Sequence, residues 1–217
     1  MASAFDIIAT IGVVPVIAIE DAKNAIALAD ALLEGGLPVA EITFRTAAAA
    51  EVITMLSAER PELIVGAGTI LDRASVTAAI RSGATFGLAP GFDPDVVDAA
   101  ADAGLPFAAG VMTPSDISAA TARGARLLKF FPAGPAGGPA MLQAIAAPFA
   151  HFKVTFIPTG GATLDTLGEW LSLKSMAAVG GTWIARSPDI AAGRFDVIKA
   201  NARAAVDRAR QYLEQRT

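Results

Sequence analysis

Short apolar runs alternate with longer, alanine-rich stretches along the whole chain. The runs are VVPVIAI (13–19), PVAEITF (38–44), LIVGAGT (63–69), TFGLAP (85–90), FAAGV (107–111), LLKFFP (127–132), VTFIPTG (154–160) and AAVGG (177–181), at intervals of about 20 to 27 residues. Runs of this length, apolar on both faces, predict strands buried in a parallel sheet. The stretches between them predict helices, several opening on residues that accept from free amides. These are Glu20-Asp21 before AKNAIALADALLEGG, Thr46 before AAAAEVITML, Asp72 before RASVTAAIRSG and Thr113 to Asp116 before ISAATARG. Gly35, Gly83, Gly104 and Gly124 fall where such helices stop.

Strand then helix, eight times over, predicts an α/β protein whose parallel sheet closes into a (β/α)8 TIM barrel. An open doubly wound sheet would read similarly, but eight units are many for an open sheet of this size, and no GxGxxG follows the first run. Residues 195–213 place Ile198, Ala202, Ala205, Ala209 and Leu213 on one helical face and predict the last helix. Met1 to Ala9 predict a short lead-in helix under the first strand. No shift in composition marks a seam, so 1–217 is expected to be one barrel domain.

Composition narrows the chemistry. Hydrophobic residues make up 53% of the chain and mean hydropathy is +0.51, yet the longest apolar run, Ile7 to Ile19, is broken by Thr10, Gly12 and Pro15. That is well short of the ~20 residues a membrane-spanning helix requires, so no membrane partner is expected. The opening MASAFD lacks the basic region of a signal peptide, and the absence of cysteine suits a reducing compartment; a cytoplasmic protein is expected. Net charge is −4 with no basic cluster, which argues against nucleic acid. A single histidine, His151, cannot hold a metal alone and is read as structural, so neither a metal nor a cofactor is expected. Acyl transfer lacks both a cysteine and a Ser, His and Asp set.

Two anomalies remain. In LLKFFP, alternation puts Lys129 on the face of Leu127 and Phe131, toward the barrel interior, while Leu128 and Phe130 face the helices. The other four lysines, Lys23, Lys153, Lys174 and Lys199, occupy polar or helix-exposed surroundings. Apolar burial disfavours an ammonium, and a free amine attacks carbonyls to form a Schiff base. The alternative is a lysine that snorkels out at the strand end or pairs with a carboxylate for structure. In VAEITFRT, Val39, Glu41, Thr43 and Arg45 share one parity, so Glu41 is expected inside and Arg45 near the C-terminal mouth. A buried carboxylate beside a buried lysine suits general acid/base work, and Arg45 offers a fork for a carboxylate or phosphate. A purely structural ion cluster is the competing reading. Glycine also gathers at strand ends: Gly66 and Gly68 before Thr69, Gly160-Gly161 after Thr159, and Gly180-Gly181 before Thr182. The last two pairs suit anion binding by backbone amides after strands seven and eight.

Over nearly its whole length the chain resembles the class I 2-keto-3-deoxy-6-phosphogluconate aldolase family, through VVPVI, EITFRT, IVGAGT, APG, LLKFFPA, PTGG and VGGTW in that order. The resemblance implies a lyase of the Entner-Doudoroff route that yields pyruvate and glyceraldehyde 3-phosphate from the phosphorylated keto-deoxy sugar acid. Lys129 would be the Schiff-base residue and Glu41 the general acid/base. Arg45 and Thr69 would hold the substrate carboxylate. Gly160, Gly161, Gly180, Gly181 and Thr182 would receive the phosphate, Thr182 standing where many relatives have serine. Thr159 would line the pocket, with Phe131 and Pro90 as its walls. A homotrimer is the family habit. The alternatives are an aldolase for the galactonate epimer, against which Arg45 speaks, or for 4-hydroxy-2-oxoglutarate, and a sugar-phosphate-binding barrel without turnover.

Overall fold

The computed structural model describes residues 3–216. Eight parallel strands run in chain order: β1 (Val13–Ile17), β2 (Val39–Thr43), β3 (Ile64–Gly68), β4 (Gly87–Leu88), β5 (Phe107–Val111), β6 (Leu127–Phe130), β7 (Thr155–Pro158) and β8 (Val179–Gly181). Each pairs with its sequence neighbour, and β8 returns to β1 through Val13↔Val179, Val14↔Gly180 and Pro15↔Gly181. The remaining seam, β7 to β8, closes through the bridges Phe156↔Met176 and Thr159↔Gly180. All eight predicted strands are therefore present; β5 fills its whole apolar run, and the other seven are shorter than theirs.

The helices are α1 (Ala4–Ile11), α2 (Ala25–Glu34), α3 (Ala49–Glu59), α4 (Arg73–Arg81), α5 (Pro94–Asp102), α6 (Pro114–Ala122), α7 (Gly138–Ala146), α8 (Leu167–Leu171), α9 (Ser187–Ala191) and α10 (Phe195–Leu213). The lead-in helix α1 starts later than Met1, because Ser3 and Asp6 form a capping box, and it runs on to Gly12; Met1 and Ala2 lie outside the described residues. Its Phe5 packs on Phe86 with ring centroids 5.4 Å apart, beneath the strands. At the other terminus α10 buries Ile198, Ala202, Ala205 and Ala209 completely, four of the five residues of the expected face, while Leu213 is half-buried. Among the described residues no helix is long and apolar enough to cross a membrane.

The predicted caps divide by geometry. Asp72 accepts from the Ser75 amide, and Thr113 forms a capping box with Asp116. Thr46 does not cap α3: its hydroxyl donates to the Ile19 carbonyl at 2.7 Å, tying the loop after β2 to the end of β1. Asp21 caps a 3-10 turn, Ala22–Asn24, ahead of α2. Gly83, Gly104 and Gly124 adopt the left-handed conformation that ends a helix, but after α2 that role passes to Gly36. Gly35 is glycine for space, since a β-carbon there would strike Ala202 and the Lys199 carbonyl of α10.

Candidate active site

The interior of an eight-stranded barrel is ordinarily filled by branched apolar side chains. Here β2 and β6, on different sides of the barrel, each insert a charged one. Strand alternation turns Leu128 and Phe130 outward, Phe130 packing on Trp170 of α8 at 6.3 Å, and leaves Lys129 facing inward. Glu41 is fully buried and Lys129 is 4% exposed. The Lys129 Nζ donates to Glu41 Oε1 at 3.0 Å and lies 5.7 Å from the centroid of the Phe131 ring. A proton passed across that bond converts ammonium and carboxylate into amine and acid without changing the net charge of the pair.

Small neighbours make room for this pair. A β-carbon on Gly68 would collide with the Glu41 carboxylate, and one on Gly180 with the Thr159 hydroxyl. The second carboxylate oxygen, Glu41 Oε2, is buried without a hydrogen-bond partner. An unmet buried acceptor costs roughly 1–3 kcal/mol, and it marks a point where a substrate or water group would be satisfied. Thr69, at the end of β3, holds φ at +58°, an uncommon conformation for a β-branched residue and of the kind concentrated at functional sites.

Thr43 lies two residues beyond Glu41 on the same face, about 6.6 Å nearer the C-terminal end of β2. It lines a cleft of about 510 Å3 over the mouth of the barrel, together with Arg45, Gly161, Thr182, Trp183 and Arg186. Gly160 and Gly161 hold φ at +88° and +86°. The loop after β6 packs against them, with Gly134 N donating to the Gly160 carbonyl at 2.8 Å. Neither the Gly161 nor the Thr182 amide donates within the described chain.

The predicted residues thus fall into two layers. Lys129, Glu41 and Thr159 are buried, while Arg45, Gly161 and Thr182 line the cleft. Thr69, Pro90, Phe131 and Gly160 are half-buried around the mouth. Gly180 and Gly181 do not extend into the loop; they are buried residues of β8, and only Thr182 after them reaches the cleft. Arg45 reaches the mouth by a different route from the one expected. The ladder ends at Phe44, whose amide bonds the Gly68 carbonyl, and Arg45 turns back to donate to the Thr43 carbonyl at 2.7 Å. Strand parity therefore does not aim its side chain. Sequence reasoning missed Thr43 as a cleft residue, and Trp183 and Arg186 after β8. His151 is exposed, its ring 4.1 Å from that of Phe152. Among the described residues no group of three or more His, Cys, Asp or Glu is placed to hold a metal ion.

A closed (β/α)8 barrel, a buried lysine paired with a carboxylate, and a cleft of arginines and free amides define an enzyme equipped for amine-based carbonyl chemistry on an anionic substrate. Comparison with known proteins makes this specific. The family model for KDPG and KHG aldolases matches residues 5–201. The 2-dehydro-3-deoxy-phosphogluconate aldolase of Dickeya dadantii is 40% identical over 194 residues, covering 89% of this chain and 90% of that one. A KDPG aldolase structure from Legionella pneumophila, with pyruvate captured as a covalent carbinolamine, superposes with a TM-score of 0.89 at 32% identity, covering 94% and 98% of the two chains. The aldolase of Zymomonas mobilis with 3-phosphoglycerate superposes with a TM-score of 0.85 at 35% identity, covering 94% and 95%. The chain belongs to the KDPG and KHG aldolase family.

Proposed function

We propose that this protein is a class I aldolase that reversibly cleaves 2-dehydro-3-deoxy-6-phosphogluconate to pyruvate and glyceraldehyde 3-phosphate. The observation that carries the reading is the fully enclosed Lys129–Glu41 pair with one free carboxylate oxygen beneath an arginine-lined cleft. The carbinolamine in the Legionella relative supports it, since that adduct is an amine added to a ketone.

In the proposed sequence Lys129 gives its proton to Glu41, and the free Nζ adds to the C2 carbonyl of the substrate. Glu41 returns that proton to the carbinolamine hydroxyl, which leaves as water and gives an iminium ion with Glu41 again a carboxylate. The C4 hydroxyl then loses its proton to Glu41, through Oε2 or a water bound there. The C3–C4 bond breaks and its electron pair moves into the iminium, releasing the aldehyde. The resulting enamine takes a proton back at C3 from Glu41, and hydrolysis of the imine frees pyruvate and restores the amine. Arg45 and Thr69 hold the C1 carboxylate. The Gly161 and Thr182 amides receive the phosphate, with Gly160 shaping the first loop and Gly180 and Gly181, the last residues of β8, leading into the second. Thr159, Phe131 and Pro90 wall the pocket and keep water from the imine.

Borohydride reduction in the presence of pyruvate tests this directly, because it fixes an imine as a stable amine. Peptide mapping is expected to find the adduct on Lys129. An adduct on Lys23, Lys153, Lys174 or Lys199, or none at all, overturns the assignment.

The reading extends to an Entner-Doudoroff role in the cytoplasm and to a homotrimer. Leu71 and Met112, 59% and 43% exposed on the loops after β3 and β5, support an interface at the C-terminal end of the barrel. Sedimentation at micromolar concentration is expected to give three times the chain mass; a monomer refutes the trimer.

A further inference from the structure

Thirteen residues line the cleft above the Lys129–Glu41 pair, and the only charged ones are Arg45 and Arg186. The whole chain carries a net charge of −4, so a patch with two cations and no lining carboxylate runs against the average of the molecule. Arg45 stands at the end of β2. Arg186 stands four residues after Thr182 in the loop that follows β8, on the other side of β1 from Arg45. It is therefore on the same side as the amides of Gly161 and Thr182.

The Arg186 side chain has no hydrogen-bond or ion-pair partner among the described residues. Its neighbours explain why. Asp189, the nearest acid in the sequence, is held by Arg194, whose Nε lies 2.8 Å from Asp189 Oδ1. The backbone at Arg186 is nevertheless fixed. Its carbonyl accepts from the Asp189 and Ile190 amides at 2.9 and 3.1 Å, and the Ser187 hydroxyl donates to the Ala18 carbonyl at 2.8 Å. A guanidinium on an anchored backbone, kept clear of internal carboxylates and aimed at a cleft, is free to pair with a ligand anion.

We propose that Arg186 is a specificity residue that holds the terminal phosphate of the substrate. The proposal rests on the aldolase reading above and deepens it. Backbone amides at Gly161 and Thr182 supply hydrogen bonds but no net charge, and a phosphate monoester carries close to two negative charges at neutral pH. Arg186 supplies the missing positive charge through a bidentate contact to the phosphate oxygens. Arg45, across the cleft, is then left to the carboxylate at the other end of the substrate. The two guanidinia measure the length of a doubly anionic 2-oxo acid and select a phosphorylated acceptor over a neutral one.

The test is the ratio of kcat/KM for pyruvate addition to glyceraldehyde 3-phosphate and to glyceraldehyde, compared in the parent, Arg186→Gln and Arg186→Lys. A charge-assisted hydrogen bond contributes roughly 1.5–3 kcal/mol, so the ratio is expected to fall about 10- to 100-fold in Arg186→Gln, with Arg186→Lys in between. The inhibition constant of inorganic phosphate is expected to rise in parallel. A ratio unchanged within twofold overturns the proposal, whether or not both rates fall. Borohydride trapping of pyruvate on the parent separates the two levels. If Lys129 is trapped and the ratio is unchanged, only the role of Arg186 fails; if Lys129 is not trapped in the parent, the aldolase reading itself fails.

Discussion

A single methyl group placed at Gly68 should disable the site with both members of the charged pair left unsubstituted. Gly68 closes β3 and needs no left-handed backbone, so alanine fits its conformation. Its β-carbon, however, would lie 2.8 Å from both Cγ and Cδ of Glu41. Carbon atoms settle at about 3.5–4.0 Å, so the Glu41 side chain must retreat by about 1 Å. The 3.0 Å bond from Lys129 would then stretch to about 4 Å, beyond hydrogen-bond range. A displacement of that size at a reacting group commonly costs about 100-fold in rate. Overpacking of the interior should destabilise the fold by about 1–3 kcal/mol.

The assay is exchange of the pyruvate methyl protons in heavy water, followed by proton NMR, alongside borohydride trapping. Exchange needs the acid/base residue, whereas trapping needs the amine. Gly68→Ala is expected to keep a trappable Lys129 and to lose about 100-fold in exchange and in cleavage. A thermal melt that remains cooperative confirms that the variant is folded. If the folded variant exchanges protons within twofold of the parent, then Glu41 does not act from the position it occupies, and the reasoning is wrong.

Glu41→Gln keeps the shape of the site but cannot carry a proton; pyruvate exchange should slow by about 10²–10⁴-fold, and normal exchange would return Glu41 to a structural role. Gly161→Val places a branched side chain at φ +86° and against the Gly134 backbone, 3.0 Å from its β-carbon; kcat/KM for the phosphorylated substrate should fall by orders of magnitude while pyruvate still traps on Lys129, and equal cleavage would move the phosphate elsewhere. Asp116 is a stability probe. Burial raises its carboxyl, but donation from the Met112 and Thr113 amides outweighs this and holds it below the ordinary aspartate value. A carboxyl depressed in the fold contributes stability above its ordinary value of about 3.9 and loses it as pH falls through the lower one. Asp116→Asn should therefore cost about 1 kcal/mol at pH 7, read by denaturant unfolding, with the difference from the parent shrinking below about pH 4; a constant difference across that range would show that the charge plays no part.

The parts of this protein legible in its sequence are those governed by a short period. Eight apolar runs gave eight strands because a strand buried on both faces has to be apolar throughout. Within them the two-residue alternation placed Lys129 and Glu41 inside. Legibility stopped where the period stopped. Arg45 lies past the end of β2, so its parity carries no direction, and Arg186 lies in a loop with no periodicity at all. The reason for Gly68 was hidden for another cause: its neighbour is a side chain on the next strand, and that closeness depends on the stagger between β2 and β3. The register Glu41↔Gly66 and Thr43↔Gly68 is a property of the closed barrel. Gly35 does end α2 as expected, but its reason for being glycine was hidden in the same way, since the neighbour that demands it is α10 far along the chain. Thr46 was misread as a cap because its hydroxyl had a better acceptor, the Ile19 carbonyl just after β1, that no local pattern discloses.

The same magnitudes bear on why the site is built from a charged pair at all. Replacing a buried ion pair with apolar residues of similar volume is often neutral or stabilising, and removal of one partner typically costs about 3–5 kcal/mol. The free oxygen on Glu41 adds a further unmet acceptor. An interior filled with leucine and valine would relieve both costs, and other inward positions of this barrel are filled that way, with Val14, Val16 and Val39 all buried. The pair therefore sits in the barrel against the interest of stability. Its cost is bearable because the eight strands hold the surrounding backbone, and Gly68 and Gly180 leave space that any larger residue would close. That rigidity is also what the chemistry requires. In the proposed mechanism a proton crosses from nitrogen to carboxylate and later returns to carbon, which demands donor and acceptor held about 3 Å apart before any substrate arrives. In that mechanism substrate binding completes the arrangement by giving Glu41 Oε2 a hydrogen-bond partner.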